Sequence, residues 1–256
     1  MKKINPENLI KKLIPVIYKA GAVSIKYSKK LKIFIKDDKT PVTNGDLEVD
    51  KILQKFLKKI SPTIEIVSEE TIKKSKIKKR ETFWLIDPID GTSSYIKGGT
   101  EYTINVGLII NQRPVAGIIY APKKKRLFYA YGKNKAYEIF NKFKKIKLNC
   151  TKKLNREKIA LTNSTLPSKK IKNIIKKYKI KKFVSMRSSL KFCMIASSEF
   201  DLYSAKPRAK EWDYAAGHAI AESAGAIIRT FQNKKILYGK KGFKNPSLLV
   251  RRNTSI

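Results

Sequence analysis

Asp87 and Asp90 stand three positions apart in WLIDPIDGTSSYIKGG, residues 84–99, directly behind an apolar run. Three more places put acids where a strand or helix is expected to end or begin: Asp46 in TPVTNGD, the pair Glu69 and Glu70 in VSEE, and Asp213 in EWD. The chain holds only 20 acidic residues against 58 basic ones, so this grouping calls for a reason. Converging carboxylates repel one another and raise one another's pKa unless a cation sits among them. Lysines could serve, but none lies inside DPIDGT, and acids projecting from separate segments are the oxygen donors that a hard divalent ion takes. Magnesium fits that donor set, and a two-ion arrangement can steady both the attacking and the leaving oxygen of a phosphoryl displacement. Hydrolysis of a phosphate ester is the chemistry expected. Pro88 fixes its own φ and stiffens the turn, so that both carboxylates and the Ile89 carbonyl can face one side. Gly91 and Thr92 then open a short helix whose amides can hold a phosphate. A lone D-x-x-D is more often a turn than a metal site; the company of SEE upstream and WD-x-AAG downstream is what makes chance a poor explanation.

Rigid ends are needed to position these side chains. Asn5-Pro6 opens a helix to about Ser28, with Leu9, Leu13, Val16, Ile17 and Ala20 on one face; Pro15 is expected to kink it or to mark its true start. After a short strand, LKIFI, the segment TPVTNGDLEVDKILQKFLKKI reads as an extended lead-in and a second amphipathic helix capped near Thr43 or Asn44, with Asp46 in its first turn. IEIV, residues 64–67, is a strand that stops at Ser68-Glu69-Glu70, and FWLI, residues 83–86, one that stops at Asp87. EYTINVGLII, NQRP, VAGIIYAP and RLFYAYGKNKAYEIF follow as strands and turns of an antiparallel meander ending near residue 148. Past Cys150, strand and helix alternate: KIALTNS, a lysine-rich helix near 168–178, KFVS, a helix from Ser188 through Ser198, FDLYSA, a helix WDYAAGHAIAESAG, then AIIRTF, KILYG and SLLV. The class is α+β in two halves, residues 1–148 carrying most of the acids and 149–256 carrying Asp213, with a soft boundary between them.

The chain's 256 residues, 42% of them apolar, can build a sizeable core. A net charge of +38 raises nucleic acid or an anionic membrane as a partner. The lysines are scattered through every segment, however, and Ile and Asn are also plentiful, as in the drift of an AT-rich genome. A nucleic-acid-binding protein would need its cations on one face and would leave the acids unexplained, so no nucleic-acid partner is expected; a polyanionic small molecule is. Cys150 and Cys193 have neither metal spacing nor a disulfide framework and read as packing residues in a reducing cytoplasm. Charges interrupt every apolar run of MKKINPENLIKKLIPVIYKAGAV, which makes it neither a signal peptide nor a span. No later segment approaches the ~20 apolar residues of a transmembrane helix. The expected location is cytoplasmic, with at most a loose peripheral hold on the inner membrane.

Taken together, PVTNGD, VSEE, WLIDPIDGTSSYIKGG, EYTINVGLI, GIIYAP, SSLKFC and EWDYAAGHAI resemble the lithium-sensitive, magnesium-dependent phosphatases of the inositol monophosphatase superfamily, and within it the CysQ type of 3'(2'),5'-bisphosphate nucleotidase. The motifs keep the family's order from residue 41 to about 225. The resemblance implies a five-layer αβαβα fold and hydrolysis of adenosine 3',5'-bisphosphate (PAP) to AMP and phosphate, with the phosphosulfate PAPS, giving APS, as a further substrate, in sulfate assimilation. It implies that Glu69, Asp87 and the Ile89 carbonyl hold one Mg²⁺ and that Asp87, Asp90 and Asp213 hold a second. Asp46 and Thr92 would orient and activate the attacking water, and Glu70 would act through water or a third, loosely held ion. Gly91, Ser189, Lys191, Arg208 and Lys210 would join Glu69, Ile89, Asp90, Thr92 and Asp213 in binding substrate. Inositol monophosphatases usually carry an acid several residues before Trp-Asp; here Lys206 takes that place, with Arg208 and Lys210 beside it, and cations suit a second phosphate better than a neutral polyol. Inositol monophosphatase or fructose-1,6-bisphosphatase activity on the same scaffold is the alternative. Arg187 departs from the pattern at a position commonly glycine in relatives. By the residues alone, Asp46 could be only a helix N-terminal charge, Glu70 a surface acid, Asp50, Glu48 and Glu101 solvated charges, Trp212 a core residue, and His218 a packing or hydrogen-bonding residue without a catalytic part.

Overall fold

The computed structural model describes residues 4–72 and 81–253. Helix α1, Pro6–Ser28, begins at Asn5, whose side chain accepts the Asn8 N–H at 3.1 Å, with Pro6 in the first turn where no N–H is needed. It runs on through Pro15, so its true start is Pro6. Strands β1, Ile33–Ile35, and β2, Pro41–Thr43, form a hairpin that leads into α2, Asn44–Ile60.

A large sheet follows, built among the described residues from β3 (Glu65–Ser68), β4 (Thr82–Asp90), β5 (Thr103–Ile110), β6 (Arg113–Ala121), β7 (Arg126–Ala130), β8 (Ala136–Phe140) and β9 (Lys144–Lys147), side by side in that order. β3 and β4 are parallel, and from β4 to β9 every pairing is antiparallel, the meander expected from the turn residues. Strand β4 does not stop at Asp87. It continues to Asp90, with Asp87 opposite Asn105 and Asp90 opposite Thr103, so that one extra residue bulges out between the two aspartates. The expected turn is therefore a bulge inside a strand, and Pro88, which has no N–H to offer a ladder, sits in it.

A smaller sheet has the order β11-β10-β12-β14-β13, from β10 (Ile159–Thr162), β11 (Lys182–Ser185), β12 (Leu202–Ala205), β13 (Ile227–Arg229) and β14 (Leu248–Arg251). KILYG is not a strand: the Gly239 and Lys240 amides donate to the buried Glu211 carboxylate at 2.7 and 3.0 Å, which takes them out of any ladder. Helices α3 (Thr92–Ile96), α4 (Lys169–Lys177), α5 (Leu190–Ala196) and α6 (Glu211–Ser223) complete the chain. α5 starts later than Ser188 because that residue lies at φ +59°, outside the helical region.

Three apolar clusters stack these elements into five layers. Ile10, Leu13 and Ile17 of α1 and Val49, Leu53 and Leu57 of α2 cover one face of the large sheet, against Trp84, Ile86, Val106 and Leu108. Phe83, Leu85, Ile109 and Phe128 on its other face meet α5 and α6, which also pack on Leu161, Tyr203 and Val250 of the small sheet. Ile171 and Ile175 of α4 close the outer face of the small sheet against Ala160 and Leu202. The alternation of Phe83 and Leu85 with Trp84 and Ile86 explains the unbroken apolar run: β4 is buried on both faces. The order is αβαβα, with side chains from before and after residue 150 in the middle cluster.

The seating of α6 is close. Gly107 and Gly117 face each other across β5 and β6, and a Cβ on Gly107 would lie 2.9 Å from the Ala216 nitrogen, one on Gly117 2.6 Å from the Ala216 carbonyl oxygen. Only hydrogen fits at these two positions, and the small residues Ala215 and Ala216 answer them from the helix side. This contact brings the first turn of α6 beside the end of β4.

Candidate active site

Each acid reaches the cleft from a differently anchored backbone. Glu69 follows β3, its amide donating to the Ile86 carbonyl at 3.1 Å, so the β3–β4 pairing extends one residue to hold it. Asp87 rises from the bulge of β4 and is 1% exposed. Asp213 sits in the first turn of α6 and accepts the Lys210 amide at 2.9 Å, as a capping carboxylate does. One oxygen from each of Glu69, Asp87 and Asp213 lies within 4.8 Å of the others. They line a cleft of about 420 Å³ together with Ile89, Asp90, Gly91, Thr92, Ser189, Lys191 and Arg208.

The electrostatics of this cluster are unfavourable by themselves. Burial first, then the charges of Glu69, Asp90 and Asp213, push Asp87 well above the usual carboxylate range. Asp213 is raised in the same way, by burial and then by Asp90 and Glu69. Asp90 is raised by burial, with Lys191 and the Ser189 amide opposing. Oδ1 of Asp87 is buried with no hydrogen-bond partner among the described residues, an unmet acceptor of the kind that native structures rarely leave.

The other expected residues divide. Asp90 accepts the Ser189 amide, and the Ser189 hydroxyl donates to Asn105 Oδ1 at 2.8 Å and meets the Thr103 hydroxyl at 2.9 Å. Ser189 lines the cleft, but its polar groups are spent on holding Asp90 and β5. Thr92 donates to the Ile89 carbonyl at 3.0 Å, and Gly91, at φ +95°, supplies the left-handed residue that starts α3. Asp46 is 2% exposed and lies behind the cleft lining. It accepts the Thr43 amide at 2.8 Å and the Thr43 hydroxyl, completing a capping box, and burial pushes it up to about 6. Among the described residues its partner is Thr43 and not Thr92. Glu70 and Lys210 are not in the lining. Lys210 turns its ammonium to the Gly242 carbonyl at 3.1 Å and over the Trp212 ring, so it meets this site with its backbone, contrary to the expectation of a substrate contact. Lys206 is exposed and also outside the lining.

No lysine lies inside DPIDGT, but lysines reach the acids from other segments. Lys36, from the turn after β1, donates to Glu69 at 3.0 Å and to Glu70 at 2.9 Å. Burial raises Glu70 to about 7 in spite of this pair, while the two carboxylates hold Lys36 above its ordinary value. A lysine shared by two acids at these distances keeps its charge. Lys191, 4% exposed, donates to the Met186 and Ser188 carbonyls. Burial lowers it to about 8, with Asp90 opposing. Neither cation satisfies Asp87.

Two acids expected to be solvated are not. Asp50 is 5% exposed and accepts the Ser68 hydroxyl at 2.6 Å and Gln54 at 2.7 Å, bracing the end of β3 just before Glu69. Its position four after Asp46, in line with Val49, Leu53 and Leu57, was the signal that could have placed it on the buried face. Glu101 is half-buried and accepts the Arg187 amide at 3.1 Å. Lys36 carries no such signal among 58 basic residues. Glu48 pairs with Lys51 at 2.6 Å on the surface, Trp212 packs against Phe243, and His218 is buried with Nδ1 3.0 Å from the Tyr238 hydroxyl. Cys150 and Cys193 are buried and free.

Oxygen donors alone, one of them unpartnered, in a pocket where burial resists charge, fit a hard divalent cation such as magnesium. Zinc or copper would favour nitrogen or sulfur, and the groups of the cluster supply none. The comparisons with known proteins agree with the geometry. The chain is 35% identical over 215 residues to the 3'(2'),5'-bisphosphate nucleotidase CysQ of Buchnera aphidicola subsp. Acyrthosiphon pisum, an alignment covering 82% of this chain and 78% of that one. It is 30% identical over 226 residues to the protein of the same name from Escherichia coli K12, covering 87% and 90%. The crystal structure of CysQ from Bacteroides thetaiotaomicron, described as a bacterial member of the inositol monophosphatase family, superposes with a TM-score of 0.80 at 26% identity over 97% of this chain and 98% of that one. Residues 5–254 match the inositol monophosphatase family as a whole. By that match over nearly its full length and by the carboxylate cleft it encloses, the chain belongs to the inositol monophosphatase family.

Proposed function

We propose that this chain is a magnesium-dependent phosphatase that removes the 3'-phosphate from adenosine 3',5'-bisphosphate, leaving AMP and phosphate, with the phosphosulfate analogue as a second substrate. The observation that carries the reading is the convergence of Glu69, Asp87 and Asp213, with Asp87 buried and one of its oxygens unpartnered. Glu69, Asp87 and the Ile89 carbonyl would hold one ion and Asp87, Asp90 and Asp213 a second. When bound, magnesium supplies the charge that the phosphoryl oxygens and the attacking and leaving oxygens need. The chain's own residues do the rest. The bulge of β4 keeps Asp87, the Ile89 carbonyl and Asp90 on one rigid strand, and Ser189 holds Asp90 in place. Thr92, in the lining, is assigned to orient the attacking water; Asp46, raised by burial, is assigned to favour the proton's departure from it. Lys36 holds Glu69 and Glu70 together, and Glu70 is assigned to act through water. The identity of the curated relatives supports the nucleotide as substrate.

The excess of cations would give an anionic surface such as the inner leaflet a loose hold on the protein. No helix of the described residues is long and apolar enough to cross a membrane. The two free thiols suit a reducing cytoplasm.

Phosphate release measured side by side from adenosine 3',5'-bisphosphate, inositol 1-phosphate and fructose 1,6-bisphosphate tests the reading. The nucleotide is expected to give the highest kcat/KM, with activity lost on chelation and restored by magnesium. A preference for inositol 1-phosphate would overturn the substrate assignment and leave the phosphatase standing.

A further inference from the structure

The chain carries nine arginines among its 58 basic residues, so lysine is its default cation and a guanidinium stands out. Most of the described arginines have evident structural work. Arg113 pairs with Glu222, Arg126 with Glu138 and Glu199, and Arg156 and Arg252 both with Asp201. Arg229 bonds the Ile228 carbonyl, and Arg251 lies over the Tyr178 ring. Arg187 and Arg208 differ: both line the catalytic cleft, and among the described residues neither is in an ion pair.

Arg187 is held there from two sides. Its amide donates to Glu101, and its Nη1 donates to the Ser93 hydroxyl at 2.8 Å, which lays the side chain along the first turn of α3 beside Thr92. That single side-chain bond fixes the direction of the guanidinium and leaves most of its five donors unspent. The backbone beneath is equally fixed, with Ser188 at φ +59° and the Ser189 amide on Asp90. Arg208 comes from the segment before α6, and its charge is felt by Lys191 and by Asp213. The cleft therefore has the acids Glu69, Asp87 and Asp213, buried or half-buried, and two exposed guanidiniums from separate segments.

We propose that Arg187 and Arg208 together form a guanidinium subsite for the phosphate that is not hydrolysed, and that Arg187 is a residue by which this chain selects bisphosphorylated over monophosphorylated nucleotides. The inference rests on the phosphatase reading above and adds to it the residue that sets preference. A planar fork with unspent donors, already aimed by Ser93, gives up little freedom on meeting a phosphate, which is the case in which arginine is worth more than lysine.

Two measurements test it, one independent of turnover. By titration calorimetry with magnesium present, AMP, which bears only the retained phosphate, is expected to bind Arg187→Gln about tenfold more weakly than the unchanged protein, while adenosine binding stays the same. Arg187→Lys is expected to recover part of the loss, and Ser93→Ala to show a smaller one. In turnover, Arg187→Gln is expected to raise KM for adenosine 3',5'-bisphosphate about tenfold at unchanged kcat, and to leave kcat/KM for adenosine 3'-monophosphate unaltered. Equal losses on both nucleotides, unchanged AMP affinity in Arg187→Gln, or no AMP binding to the unchanged protein would each overturn the subsite. If AMP binding follows Arg187 but neither nucleotide is hydrolysed, the subsite stands and the proposed reaction falls. Melting temperatures matching the unchanged protein show that the exposed side chain was replaced without loss of the fold.

Discussion

Asp87 is the residue on which the site turns, because it is buried, repelled by four neighbouring acids and left with an unmet oxygen. Asp87→Asn keeps the shape and removes the charge, so it is expected to lower kcat by about 10³-fold or more, the scale of losing several kcal/mol of transition-state stabilisation. The same change relieves the repulsion, and the metal-free variant is expected to melt no lower than the unchanged protein. Asp213→Asn should behave alike. A variant that retains full turnover would remove these residues from the ligand set; one that loses both turnover and stability would point to a structural carboxylate instead. At this scale the sequence was legible where a motif coupled acids to a turn or helix start, as in DPIDGT and EWD. It was opaque for Lys36 and Glu101, whose roles come from partners 33 and 86 positions away.

The elements that carry the acids depend on close backbone contacts more than on large side chains. Gly117 has the Ala216 carbonyl where its Cβ would be, at 2.6 Å, and both neighbours are main chain, so neither can swing aside. Gly117→Val is expected to cost about 1–3 kcal/mol, read as a lower midpoint in urea unfolding, because overpacking forces α6 off the sheet. Asp213 rides on that helix, so magnesium affinity measured by calorimetry is expected to fall as well. Unchanged stability would mean that the helix seats elsewhere. The meander and the helix stripes followed from turn residues and periodicity. The bulge in β4 and the irregular KILYG did not, since each depends on what another segment offers: Asn105 and Thr103 for the first, Glu211 for the second.

For the molecule as a whole, the site makes stability depend on pH and on magnesium together. Asp46 is raised to about 6, Glu70 to about 7, and Asp87 and Asp213 are raised well above the usual carboxylate range, in each case chiefly by burial. A carboxyl whose folded pKa exceeds its unfolded value holds its proton more tightly when folded, so its contribution is present below about pH 4 and is lost as pH rises through the folded value. Magnesium favours the ionised form of its ligands, which reverses the sense. The gain in melting temperature on replacing a chelator by saturating magnesium is therefore expected to be larger at pH 8 than at pH 5.5. Comparing the two conditions at each pH cancels the general repulsion from the +38 charge. An equal gain at both values would mean that the buried acids are ionised without metal.

From its order of residues alone, this chain determines most of its strands and helices and the setting of acids at their ends, because these are local patterns: periodicity, caps, and carboxylates beside turns and helix starts. Tertiary structure alone decides which atoms face one another. It brings Glu69, Asp87 and Asp213 within 4.8 Å, buries Asp50, sends Lys36 to two carboxylates, and turns Lys210 away while Arg187 is laid into the cleft. The physical reason is the same in each case. Burial and partnership belong to the packing of distant segments, and a side chain's charge acquires a function only when the fold has settled what surrounds it.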